Sequence, residues 1–64
     1  MDSTFDIFKV RSGGALQMIM TVVGLREAKV RMARLALSSP GEYFIHSEEK
    51  GVVARQSREW ADII

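Results

Sequence analysis

His46 is the only histidine of the chain, and there is no cysteine. A zinc site needs several closely spaced nitrogen, sulfur or oxygen ligands, which one imidazole on a strand does not supply. Its ordinary place is half-exposed or at an interface. Without cysteine there is no thiolate nucleophile and no disulfide, a pattern that fits a reducing compartment. Ser12, Ser38, Ser39 and Ser57 fall where turns and helix caps are expected, positions at which serine bonds the backbone. No base stands at a recognisable spacing from any of them. Glu48 and Glu49 are adjacent carboxylates, but on a hairpin tip, whereas acid–base work needs a pocket. Gly13 and Gly14 join two strands rather than a strand to a helix, so they form no phosphate loop. A chain of 64 residues also has little room for a pocket of roughly 300 Å³ or more. The sequence thus assigns no catalytic, metal-binding or cofactor-binding residue, and predicts a protein that is not an enzyme and has no small-molecule substrate.

Binding chemistry is better represented. Arg26, Lys29, Arg31 and Arg34 give one predicted helix a basic side, which Arg11, Arg55 and Arg58 could extend. These four would be the phosphate contacts of a nucleic-acid-binding accessory protein, the alternative reading of the chain. Against it, Glu27 interrupts the cluster. The whole-chain pI is only about 8.2, and no aromatic-glycine signature of an RNA-reading sheet is present. A charged helix face is ordinarily a solvated one. Nine basic residues against eight acidic leave the chain nearly neutral, without a polybasic arm or an acidic tail.

The elements that carry these residues follow from hydrophobic patterning. Residues 4–11 read as a strand, with Phe5, Ile7, Phe8 and Val10 as β-formers. Adjacent glycines then supply the positive φ that a hairpin demands. Residues 15–22 form the return strand. A two-residue Gly13–Gly14 loop, pairing Ser12 with Ala15, places Leu16, Met18, Met20 and Val22 beside Phe5 and Ile7. A three-residue loop would bring Gln17 there instead, so burial favours the shorter one. The spacing predicts a helix over 25–37, with Gly24 as N-cap, Glu27 in the first turn, and an apolar arc through Leu25, Ala28, Met32, Ala33, Leu35 and Ala36. Lys29 falls inside that arc and would snorkel. Ser39 and Pro40 stop the helix. Residues 42–47 and 52–56 are further strands, joined by Glu48-Glu49-Lys50-Gly51 as a turn closed by a left-handed glycine. The order is ββαββ: an α+β domain with a four-stranded antiparallel sheet and one helix on one face.

That architecture leaves apolar surface over. With the helix on the face of Phe5, Ile7, Leu16, Met18, Met20, Tyr43, Ile45 and Val53, the reverse face still carries Phe8, Val10, Ile19, Phe44, Val52 and Ala54. An open antiparallel sheet normally turns a polar face to water. A contiguous apolar patch of this kind marks an interaction surface. The last eight residues hold Trp60, Ile63 and Ile64 at helical spacing after Ser57, a tail expected to dock on the sheet or on a partner. The expected interface is therefore Phe8, Val10, Ile19, Phe44, Val52, Trp60, Ile63 and Ile64.

Size points the same way. The chain is read as one domain over 1–64, a core of 5–56 plus the tail 57–64, with 47% apolar residues. Domains below about 70–80 residues usually need a disulfide, a metal, self-association or unusually good packing. Self-association is the candidate left. The longest nearly apolar stretch, 15–25, is broken by Gln17 and Thr21 and is far short of the roughly 20 residues a membrane span needs. Lys9 and Arg11 before it imitate a signal peptide, but no small-residue cleavage site follows. A soluble, cytoplasmic protein without membrane contact is expected.

Asp6-Ile7-Phe8-Lys9, the glycine turn, Leu25 with Glu27-Ala28-Lys29, Ser39-Pro40-Gly41-Glu42-Tyr43, and Gly51 with Val53 together span most of residues 5–55. In these pieces the chain resembles a set of small uncharacterised bacterial ββαββ proteins. Where that pattern often has tryptophan in the second strand, this chain has Met18 and Ile19. Where a serine or threonine often precedes the helix leucine, it has Gly24. The resemblance implies the fold and no known activity. The reading as a whole is a small non-enzymatic interaction module, a homodimer or a partner of another protein, acting through the second sheet face and the tail.

Overall fold

The computed structural model describes residues 3–56. Strand β1 is Thr4–Val10, a turn occupies Ser12–Gly14, and β2 is Leu16–Val23. Helix α1, Leu25–Ser38, leads to β3, Glu42–Ser47, and β4, Gly51–Gln56. The four strands form one antiparallel sheet in the order β2-β1-β3-β4. Hence β1 and β3 are the central strands, and α1 carries the chain from the β2 edge back to the middle. The expected ββαββ fold is the one observed. The tail residues 57–64, with Trp60, Ile63 and Ile64, lie outside the described residues.

Helix α1 lies over one face and touches all four strands. Beneath it Ile7 and Ile45, direct partners across β1 and β3, are completely buried, and Phe5, Tyr43, Ala28 and Met32 are buried around them. Leu25, Leu35 and Ala36 complete the helix's apolar arc against this cluster. Lys29 is exposed and needs no snorkelling. Gly24 is the N-cap at φ +90°, a backbone conformation that side-chain-bearing residues rarely adopt. Its N–H donates to the Ser3 carbonyl and its own carbonyl accepts from Ala28, which joins the end of β2 to the first helical turn. At the other end the Ser39 N–H closes on the Leu35 carbonyl. Tyr43 donates its hydroxyl to the Ser39 carbonyl at 2.6 Å, while Lys9 donates to Ser39 Oγ at 2.6 Å and lies over the Tyr43 ring. These contacts fasten the helix C-terminus to the two central strands.

The first hairpin departs from expectation. The Arg11 N–H bonds the Ala15 carbonyl, and the Gly14 N–H bonds the Arg11 carbonyl. The loop is therefore three residues, Ser12–Gly14, with Gly13 at φ +85° and ψ 3°, the geometry of the third position in a type II turn. Its register sets Val10 opposite Leu16 and Phe8 opposite Met18. A β-bulge at Ile19 then shifts the pairing by one, so that Ile7 faces Met20 and Phe5 faces Val22. The expected register holds only beyond the bulge. Leu16 and Met18 leave the helix-covered face for the reverse one, where they are 59% and 52% exposed. Ile19, expected on the reverse face, packs against the core instead. Gln17 does take the helix-side position, and it stays exposed with its side chain bonded by Arg11.

The second hairpin repeats the device. Gly51, at φ +76°, closes the turn, and Ser47 Oγ accepts the N–H groups of Glu49 and Lys50. Val52 faces His46, but a bulge at Val53 sets Ala54 opposite Ile45 and Arg55 opposite Phe44. Ala54, expected on the reverse face, therefore packs against the core, and Arg55 takes the place on the open side.

Candidate interaction surface

The face turned away from α1 is built in cross-strand rows. Its central row runs Met18, Phe8, Phe44, Arg55 from β2 to β4. Below it stand Thr21, Asp6, His46 and Val52; above it stand Leu16, Val10 and Glu42. Phe8 and Phe44 sit on adjacent central strands, and their rings stack with centroids 5.2 Å apart and planes 15° from parallel. The His46 ring meets Phe8 edge-on at 6.2 Å. These three rings are only half-buried, and Leu16, Met18, Val23 and Val52 on the same side are 45–59% exposed. Polar side chains share the rows: Asp6, Thr21, Glu42, His46 and Arg55. Thr21 Oγ1 donates to Asp6 Oδ1 at 2.8 Å across β1 and β2, while Glu42 and Arg55 project at the margins. No other element among the described residues lies on this face.

Of the residues expected there, Phe8, Val10, Phe44 and Val52 are together on the open side. Ile19 is on the other side, and Trp60, Ile63 and Ile64 are outside the described residues. Met18 and Leu16 join the surface unanticipated, because the three-residue loop turns that half of β2 outward and the bulge at Ile19 restores the expected facing only beyond it. The signal for it was present: Met18-Ile19-Met20 and Val52-Val53-Ala54 are apolar runs that break strict alternation, and each contains a bulge.

No protein-family model, no curated protein and no solved structure matches the chain. The surface must therefore be read from its own residues.

The basic residues present a different picture. Arg26, Lys29, Arg31 and Arg34 are all exposed, spread over about 200° of the helix circumference at 100° per residue. Arg31 pairs with Glu27 one turn earlier at 3.0 Å, both half-exposed, a contact worth about 0.3–0.5 kcal/mol. Arg31 and Arg34, with Met20, Leu35 and Ser38, border a shallow cleft of about 170 Å³ between α1 and β2. Among the described residues no three His, Asp or Glu side chains converge, and no helix is long and apolar enough to cross a membrane.

Proposed function

We propose that the chain is a small non-enzymatic interaction module that pairs with a second copy of itself through the open face of the sheet. The observation that carries this reading is the stacked Phe8–Phe44 pair at the centre of a face that no described element covers. Clustered aromatic anchors are the usual energetic centre of a protein–protein interface. A sheet face packs well on its like, since two twisted sheets interdigitate at about 10 Å separation. Burying the face also offsets the small core of a chain this short. The sequence at Trp60, Ile63 and Ile64 supplies further apolar material for the same junction. The cysteine-free composition supports a cytoplasmic setting, and the element order supports kinship with the bacterial ββαββ proteins that the chain resembles. The scattered cations of α1 are read as a solvated helix face.

A pair of surface substitutions tests where the contact lies. Val52 is 45% exposed, so Val52→Lys should change single-chain stability by under about 1 kcal/mol while weakening self-association at least tenfold. Leu37, on α1, is more exposed still at 84% but lies off the face, and Leu37→Lys should leave association unchanged. Gel filtration over a dilution series reads both. Equal effects of the two would point to general stickiness and contradict a specific face.

A further inference from the structure

The sheet has two edges, and they are not alike. β4, the shorter edge strand, carries Arg55, whereas β2, Leu16–Val23, contains neither a charged residue nor a proline. Charges and prolines are the usual devices that keep an edge strand from pairing with another chain. We propose that the outer edge of β2 takes up an extended acidic segment of a partner protein as a fifth strand, beside the cleft between β2 and α1.

The backbone supplies the first half of the site. β2 pairs with β1 on one side and has no strand on the other among the described residues. On alternate residues its N–H and C=O groups therefore point outward, open to an incoming strand. The bulge at Ile19 divides the edge and leaves Met20–Val23 as its longest regularly paired stretch. That stretch begins at the cleft. Met20 forms one wall, and Arg31, Arg34, Leu35 and Ser38 of α1 form the other. These four make one stripe along the helix, at spacings of three and four residues. A strand laid about 4.8 Å outside β2 sends alternate side chains toward that stripe. Met20 and Leu35 meet an aliphatic stem, while the two guanidiniums meet carboxylates, which their planar forks fit. Glu27 engages only Arg31, through a half-exposed pair that an incoming carboxylate can share. Among the described residues no ion pair involves Arg34. The main chain thus gives affinity, and the helix flank selects acidic over basic sequence. A second copy paired edge to edge fits less well, since its own β2 brings no carboxylate to the arginines. Occupation of this edge and self-pairing through the open face are separate events.

Titration of the full, isotope-labelled chain with capped six-residue peptides, followed by nuclear magnetic resonance, tests the site. The probe alternates valine with glutamate. It should shift the backbone amide signals of residues 20–23 most strongly and slow their exchange with solvent. Lysine in place of glutamate should weaken binding at least tenfold. Proline at both central positions, which removes donors from either edge of the peptide, should do the same. Arg34→Glu, a change at an exposed position, should remove most of the preference for glutamate. Equal binding of the acidic and basic peptides, or amide shifts confined to β4 or the open face, overturns the proposal. So does the absence of binding at millimolar peptide. If the β2 amides are then already protected without peptide, the edge belongs to a second copy or to residues 57–64.

Discussion

Ile45→Ala is expected to cost about 3–4 kcal/mol and to leave much of the protein unfolded near 37 °C. Ile45 is completely buried at the middle of β3, directly opposite the equally buried Ile7 and beneath α1. Removing its outer carbons loses their transfer free energy and opens a cavity that a four-stranded sheet cannot collapse, a combination that costs roughly 2–5 kcal/mol. At roughly 0.05–0.15 kcal/mol per residue, a chain of this length has only about 3–10 kcal/mol in all. Ile45→Val should cost about 1 kcal/mol and serves as the graded control. Urea titration at fixed protein concentration reads both, because self-association would otherwise shift the midpoint. A loss below about 1 kcal/mol for the alanine variant would place the structural centre elsewhere than the β1–β3 seam.

The second large effect concerns association. Phe44→Arg should weaken self-association more than a hundredfold, about 2.8 kcal/mol, while the chain keeps its secondary structure. Phe44 is half-buried within one chain, where its ring stacks on Phe8. Facing a second copy it would be desolvated at the centre of the contact, and a guanidinium placed there loses its water and the stacked ring's apolar contacts. In the isolated chain the same arginine can turn into solvent, so the folding cost should stay near 1–2 kcal/mol. Sedimentation velocity and circular dichroism separate the two quantities. If Phe44→Arg unfolds the chain without first dissociating it, the ring belongs to the core rather than to the junction.

The element order, the N-cap at Gly24, the helix stop at Ser39 and Pro40 and the left-handed Gly51 were all legible in the sequence. Each depends on local chemistry: a positive φ that glycine adopts freely, a proline that cannot continue a helix, an apolar arc at helical spacing. What was not legible was register. Burial alone favours the shorter glycine loop, which keeps Gln17 off the helix-covered face, but only if one register runs the length of the hairpin. A bulge at Ile19 resets the pairing midway, so Met20 and Val22 reach the core while Leu16 and Met18 face outward. Gln17 stays exposed with Arg11 near the turn, so its position on the covered side incurs no burial cost. Val53 does the same in the second hairpin, sending Ala54 inward and Arg55 outward. The open face was therefore foreseen in kind, through Phe8, Val10, Phe44 and Val52. Its membership shifted by the residues next to each bulge.

Sedimentation equilibrium of the full wild-type chain, from about 1 to 100 μM, tests self-pairing most directly. The expected result is a concentration-dependent rise to twice the 7.2 kDa chain mass, with no larger species. A constant 7.2 kDa across that range would contradict pairing through the open face, however exposed Phe8 and Phe44 are within a single chain.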